Sequence, residues 1–428
     1  MALPAGLAPE DFNYLDPSNR YWSYLKGLAS AEAFRGSLDN IVAYRDPTKT
    51  DLLGDSGGFQ YGKGSGEVSK WTGLTTEAAV LAAWRDSNLV EKIVDWIELY
   101  GSAGLSLDLP LWSARAANAG SPFHLCSEKA LRDLSMDNVR YLINRRNAGR
   151  LKKKYLNVLQ GDKEREEVAW YNEARHYRLD GWSLAGGVGT DGGPYRIIRR
   201  LLILRDDKLL GGGLNWVHLL KQTQPRWAPV LTAIQRGFQI SLGEDEFKIT
   251  YDSSTPYGQA GEFTKFVARP SLGASITGWH FKYHKFPTTF SAANDNVPRA
   301  LNAVTCTGPL CEMCRATGIH LKAPLLSPIA QFLTIQDLLE KKGNFVERRG
   351  GVLADELLIN HNVFTVVEGI IRANEAIFGL KPDAPQQLVD AVGIVSQIIG
   401  SAQWDAVLTK NRQLLEQAVG FKPSKDVL

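Results

Sequence analysis

From Thr75 onward the chain switches repeatedly between helical and strand-like spacing of its apolar residues. Residues 75–100 carry Ala79, Leu81, Ala83 and Trp84, then Ile93, Val94, Trp96 and Ile97, at helical spacing, and a short apolar run follows at 105–109. The alternation continues as a helix at 127–147 with Ser127 as its N-cap, a strand at 155–159, a helix at 163–177 and a strand at 181–185. A helix at 194–204, a strand at 216–220, a helix at 225–238 and a strand at 247–251 complete it, while 41–44 and 52–55 read as earlier strands. Short strands separated by helices predict a parallel sheet with helical crossovers. Polar residues follow the ends of at least four strands, namely Asp55, Asp108, Gln160 and Asp252. In a closed barrel those ends meet at one mouth, so the pattern predicts an α/β fold of the (β/α)8 TIM-barrel type. Residues 1–35, with Pro4, Pro9, Pro17 and scattered aromatics, read as an N-terminal extension, 36–300 as the barrel, and 301–428 as a further region whose helices (331–341, 355–378, 386–399, 404–418) close it.

Composition narrows the function classes only modestly. With 428 residues, 44% of them hydrophobic, the chain can bury a large core. Its 49 basic and 46 acidic residues leave a net charge of +3, too even to announce nucleic acid by itself. The first residues carry no basic leader, and no run of about 18 apolar residues occurs, so a soluble, cytoplasmic protein is expected. Two local features stand out against this average. Arg145, Arg146, Arg150, Lys152, Lys153 and Lys154 form a basic run without an acid, a candidate track for a phosphate backbone to which Arg196, Arg199, Arg200 and Arg205 are candidate additions; solvated helix ends are the plain alternative for both, and the stronger one for the second cluster. Cys306, Cys311 and Cys314 stand close together while Cys126 is isolated, a spacing that points to metal more than to disulfides.

The stretch Gly54-Asp55-Ser56-Gly57-Gly58-Phe59-Gln60 joins a carboxylate leaving a strand to a hydroxyl, two glycines, an aromatic and an amide. Its glycines let the backbone approach a flat polar ligand closely. The run GKGSG at 62–66 that follows is either a lid or a plain surface loop. Further on come Leu107-Asp108-Leu109-Pro110, Asn157-Val158-Leu159-Gln160-Gly161, Ser183-Leu184-Ala185-Gly186-Gly187-Val188-Gly189 and Asp252-Ser253-Ser254-Thr255-Pro256. Each alone has an ordinary structural explanation as a cap or turn. Together and in this order they resemble the tRNA-guanine transglycosylase superfamily, whose members exchange a guanine in nucleic acid for a 7-deazaguanine. The resemblance spans about residues 40–375, though the family's usual continuation after the Asp108 position is absent. It implies Asp252 as the nucleophile and Asp55 as general acid/base, the two carboxylates that an oxocarbenium-like displacement at C1′ requires. It also implies that Asp108 accepts from the guanine N1–H and 2-amino group, that Gln160 and the Gly186 and Gly187 amides donate to O6, and that Ser56 and Phe59 complete the base pocket, Phe59 by stacking. Three aspartates in one mouth repel, which should raise at least one pKa.

The resemblance further implies a structural zinc. Its ligands would be Cys306, Cys311, Cys314 and His361, the last in the pair His361-Asn362; the first cysteine interval is longer than the family's usual one. Three thiolates and an imidazole close a tetrahedral shell with no open position. His320 is a rival fourth ligand, and a redox pair of Cys311 with Cys314 the lesser alternative. Residues 301–428 then become a zinc-binding subdomain with closing helices.

After Pro256 the tRNA enzymes carry arginines that read the anticodon loop, whereas this chain has Tyr257-Gly258-Gln259-Ala260-Gly261-Glu262. The departure is similar to the DNA 7-deazaguanine transglycosylase branch of bacterial and phage DNA modification. Its members insert bases such as 7-cyano-7-deazaguanine, and duplex substrate would require guanine extrusion. The expected partners are DNA, with tRNA as the alternative, and a small 7-deazaguanine base. A non-catalytic nucleic-acid-binding paralogue and a base-releasing hydrolase are the other readings.

Overall fold

The sheet is built from short strands, three of them opening on lysine and four closing on leucine. In the computed structural model, which describes residues 8–31, 42, 45–261, 265–285, 327–329, 351–380 and 383–421, seven strands follow in chain order. They are β1 (Lys26–Ser30), β2 (Asp51–Asp55), β3 (Ala103–Leu105), β4 (Lys154–Leu159), β5 (Gly181–Leu184), β6 (Trp216–Leu219) and β7 (Lys248–Tyr251). Each pairs in parallel with the next, in the order β1-β2-β3-β4-β5-β6-β7. The sheet curls into a half-barrel. Its concave face is lined by Leu53, Ala103, Leu105, Leu156 and Val158, with Leu28, Ala185, Trp216 and Leu220 packed on them.

The helices between the strands are α1 (Gly58–Gly62), α2 (Glu77–Asp86), α3 (Leu89–Tyr100), α4 (Glu128–Asn147), α5 (Glu164–Ala174), α6 (Gly193–Asp206) and α7 (Trp227–Leu242). The single helix expected at 75–100 is two, because Asn88 takes φ 53° and breaks the backbone ladder between α2 and α3. Ser127 caps α4 as expected, its hydroxyl accepting from the Ala130 N–H at 3.2 Å. The run at 105–109 is strand only in its first residue; Leu107 to Leu109 continue as irregular backbone held by side chains of α4, with Ser135 accepting from the Leu109 N–H at 2.9 Å and Asn138 donating to the Leu107 carbonyl at 2.9 Å. Strand β1 falls in the segment read as an extension, since its sequence, KGLAS, has little strand propensity and is fixed by pairing with β2. The strand expected at 41–44 lies, apart from Val42, outside the described residues, as does the helix expected at 331–341.

The chain falls into two compact units, neither continuous in sequence. One comprises Leu25–Gln222, Val230–Asp252 and Asp390–Leu428 and contains the parallel sheet. The other comprises Met1–Tyr24, Thr223–Pro229 and Ser253–Val389. In the second, α8 (Thr255–Gly261), the antiparallel pair β8 (Lys265–Ala268) and β9 (Lys282–Lys285), and the long helix α9 (Gly351–Phe378) pack together, with Val267, Phe281 and Val366 at the centre. Three helices follow, α10 (Gln386–Gly400), α11 (Trp404–Lys410) and α12 (Arg412–Ala418). Among the described residues, no helix is long and apolar enough to cross a membrane.

Candidate functional site

Because all seven strands run the same way, their C-terminal ends share one edge, and the polar residues that follow them gather there. Asp55 ends β2, Asp108 lies just beyond β3, Gln160 follows β4, Gly186 and Gly187 follow β5, and Asp252 follows β7. Asp55 and Asp108 both titrate upward. Burial, then the charge of Asp252, pushes Asp55 to about 6, against hydrogen bonds from the Gly57 and Ser56 backbone and the attraction of His218. Burial, then the charge of Asp55, pushes Asp108 to about 7. The expectation that crowded aspartates shift one another is met.

The turn after β2 brings these carboxyls together. Gly57 adopts φ 82°, and a Cβ on Gly58 would stand 2.2 Å from the Asp108 carbonyl oxygen, so only glycine allows the turn to pass the backbone at Asp108. Ser56 is buried, and its hydroxyl donates to the Ser106 carbonyl at 3.3 Å, tying this turn to the end of β3. Phe59 is 41% exposed on the rim, with its ring edge-on to Trp112 at 5.5 Å between centroids. The Nζ atoms of Lys63 and Lys221 stand 4.5 and 5.0 Å from the Phe59 centroid. Lys63 belongs to the GKGSG run read as a lid or a surface loop, whereas nothing in the sequence marked Lys221.

Gln160 is committed to its neighbours. Its Nε2 donates to Asp108 Oδ2 at 2.6 Å and to the Leu109 carbonyl at 3.0 Å, while its Oε1 accepts from the Leu111 N–H at 3.0 Å. Both amide hydrogens are thus used, and Gln160 orients Asp108 where a donor to the base had been expected. The Gly186–Val188 turn rests against β4's continuation: a Cβ on Gly187 would meet the Asp162 and Gly161 carbonyl oxygens and Arg196 Nη1 at 2.6 Å. Arg196 donates to the Asp162 carbonyl at 3.0 Å and pairs with Glu167 at 2.7 Å, and Arg200 pairs with the same buried carboxylate. Arg199 facing Glu164 at 3.4 Å and Arg205 facing Asp206 at 2.8 Å are ordinary pairs near the surface, but the expectation of solvated helix surface fails for Arg196 and Arg200, whose side chains are 10% and 2% exposed and brace the interior.

The basic run is not at the mouth. Arg145 and Arg146 end α4 and Lys154 begins β4, so they occupy the opposite edge of the sheet from Gln160, a strand length of roughly 20 Å away. Arg145 pairs with Asp95 at 2.7 Å and Arg146 with Asp180, and the Lys152 and Lys153 backbone amides donate to Glu98; Arg150 and Lys152 are exposed. The structure does not bring these cations to the aspartates.

Asp252 is anchored by backbone bonds on both sides, its N–H donating to the Leu219 carbonyl at 3.4 Å and its carbonyl accepting from the Gln222 N–H at 2.7 Å. Its Oδ1 lies 3.2 Å from His218 Nε2. His218, absent from the sequence reading, is 2% exposed on β6. The available signal was a polar residue alternating inward in the otherwise apolar strand WVHL.

Of the expected metal ligands, Cys306, Cys311, Cys314 and the rival His320 lie outside the described residues. Among the described residues no cluster of three metal-ligating side chains occurs. His361 is fully buried on α9, and its Nε2 donates to the Val267 carbonyl at 3.0 Å. That bond leaves Nδ1 as the lone-pair nitrogen, buried and without a hydrogen-bond partner among the described residues. Burial holds the imidazole neutral, with its pKa lowered to about 4. A histidine that donates one N–H to a backbone carbonyl and offers its other nitrogen fits a zinc ligand. The neighbouring Asn362 braces the same region, accepting from the Val267 N–H at 2.8 Å and donating to the Lys265 carbonyl at 2.9 Å.

No model of a known protein family matches the chain, and no characterised protein matches its sequence.

Proposed function

We propose that this protein is a DNA-guanine transglycosylase of the superfamily that its motifs resemble, exchanging guanine for a 7-deazaguanine base through a covalent aspartyl–deoxyribosyl intermediate. The observation that carries the reading is the convergence of Asp55, Asp108 and Asp252 on one edge of a parallel sheet, with Asp55 raised to about 6 beside Asp252. Two carboxyls in different environments divide the labour that displacement at C1′ needs. The Asp252 carboxylate attacks C1′ as the C1′–N9 bond breaks, and the electron pair leaves with guanine. Asp55, protonated at this stage, gives its proton to the departing base. Asp55 as carboxylate then takes the N9 proton of the incoming deazaguanine, whose N9 attacks C1′ and expels Asp252. Bonds and protons balance over the two halves, and no external acid is consumed.

Asp108, held by Gln160, is the acceptor for the N1–H and 2-amino group. The Gly186 and Gly187 backbone remains the candidate donor to O6, and Phe59 the stacking surface. Lys63 and Lys221 supply cations beside that ring, where the phosphates flanking an extruded nucleotide would pass. The choice of DNA over tRNA rests on the segment after Pro256. Its Tyr257 hydroxyl bonds that of Tyr14 at 2.5 Å within a short helix that carries no arginine. In the same reading an eighth strand completes the barrel, and Cys306, Cys311, Cys314 and His361 hold a structural zinc that stabilises the fold without entering the reaction.

Labelled guanine offered with duplex DNA, single-stranded DNA and tRNA tests the proposal. Incorporation into DNA is expected, with Asp252→Ala and Asp252→Asn losing both exchange and covalent trapping while remaining folded by circular dichroism. Incorporation into tRNA alone would reassign the substrate, abasic sites without incorporation would indicate a hydrolase, and near-normal exchange by Asp252→Ala would remove it as nucleophile.

A further inference from the structure

The inward face of β6 and β7 carries a second polar group beside the three aspartates. Their register pairs Trp216 with Lys248 and His218 with Thr250, so Trp216, His218, Thr250 and Asp252 project to the same side. Trp216 Nε1 lies 2.7 Å from Thr250 Oγ1, Thr250 Oγ1 lies 2.9 Å from His218 Nδ1, and His218 Nε2 lies 3.2 Å from Asp252 Oδ1.

The direction of these bonds follows from what each group can give. An indole N–H only donates, so Thr250 Oγ1 accepts from Trp216. The single threonine proton is then free for His218 Nδ1. With Nδ1 accepting, the neutral imidazole carries its hydrogen on Nε2, aimed at a carboxylate that can only accept. The opposite tautomer would set the Nε2 lone pair against the carboxylate oxygen and leave the threonine proton without this partner. A buried site selects the arrangement that satisfies every group.

We propose that Trp216, Thr250 and His218 form a one-way hydrogen-bond chain that fixes the Asp252 carboxylate, making His218 a positioning residue for the exchange reaction. This rests on the reading of Asp252 as nucleophile. The Nε2–H engages Oδ1 and leaves Oδ2 to form the bond to C1′. In the ester, Oδ1 is the carbonyl oxygen and keeps the same donor. As the C1′–Oδ2 bond breaks in the second half-reaction, negative charge returns to the carboxyl group beside that N–H. The same contact therefore aligns attack and assists expulsion, and its direction is set two residues away by an indole.

The chain is testable without substrate. In protein labelled with 15N-histidine at about pH 8, nitrogen–proton correlation spectra should show His218 as the neutral Nε2–H tautomer. Thr250→Val should abolish that uniform tautomer and Thr250→Ser restore it. In the exchange assay His218→Phe should lower kcat by about 10- to 100-fold with KM for the free base unchanged, the signature of a misaligned nucleophile. His218→Gln, whose Nε2 reaches nearly the same point, should recover part of the loss. An Nδ1–H tautomer in the unmutated protein would overturn the proposal whether or not the variants fold. So would a His218→Phe enzyme with unchanged kcat, or one whose loss lies wholly in KM. If the unmutated protein exchanged no base at all, the transglycosylase reading would fail while the tautomer measurement still judged the chain.

Discussion

At the residue scale the chemistry depends on protonation. Asp108 can accept two hydrogen bonds from a guanine edge only as a carboxylate, and burial together with Asp55 raises it to about 7. The ionised form exists above that value and is lost as pH falls through it, so guanine affinity should weaken about tenfold per pH unit below 7. Calorimetric titration of guanine between about pH 5 and 8 checks this, and Asp108→Asn should bind weakly with that dependence removed. A flat profile in the unmutated protein would remove Asp108 from base recognition. The same raised values carry a stability cost of opposite sense. A carboxyl with a pKa above its unfolded value destabilises the fold at high pH, and the cost vanishes below the unfolded value of about 4. Asp108→Asn should therefore raise the thermal midpoint at about pH 8, by about 1 °C per kcal/mol recovered in a chain of this length, and lose that gain on acidification.

At the scale of elements, the site depends on turns held at close range. Replacing Gly58 by alanine would set a Cβ 2.2 Å from the Asp108 carbonyl oxygen. Backbone on both sides must then move, at a cost of about 1–3 kcal/mol by analogy with overpacked cores. We expect Gly58→Ala to lower the unfolding midpoint and to cut exchange at least tenfold, read together from denaturant melts and turnover. Unchanged activity would show that the separation of β2 and β3 ends is not what sets the site. The Arg196–Glu167–Arg200 brace acts on the next pair of turns. Removing the Glu167 charge would leave two buried guanidinium groups beside a neutral partner, and breaking such a network typically costs about 3–5 kcal/mol. Glu167→Gln should thus lose stability on that scale in urea unfolding, well beyond an exposed pair such as Lys129 with Asp133.

At the scale of the whole molecule, the zinc proposal joins residues far apart in sequence. Metal analysis should give one zinc per chain, and His361→Ala should lose it together with stability while His320→Ala keeps it. Lost activity should track lost folded protein, since a four-ligand zinc has no vacancy for substrate. The opposite histidine result would move the fourth ligand to His320. A zinc-free protein that folds and turns over normally would remove the site.

Much of the unit holding the sheet was legible in the chain. The apolar runs at 155–159, 181–185, 216–220 and 247–251 agree with β4 to β7 within a residue or so at each end, because short buried strands bounded by glycine and charge have few alternatives. Asp55, Asp108, Gln160 and Asp252 were identifiable as a set because each follows a predicted strand, and parallel strands place such residues on one edge. Position along the chain fixes which edge the basic run occupies, since Lys154 precedes the strand expected at 155–159 and Gln160 follows it, but it could not show that Arg145 and Arg146 pair with Asp95 and Asp180. Nor could it identify β1, whose weak propensity is overridden by pairing with β2. Residue type marked Gln160 as a base-reading amide, whereas its hydrogens go to Asp108 and Leu109, a matter of distance alone. His218, Lys63 and Lys221 illustrate the same division. A sequence determines which groups alternate inward and which strands must exist, because those depend on local periodicity. Which buried donor meets which acceptor depends on strand register and curl, and these emerge only when the whole sheet is assembled.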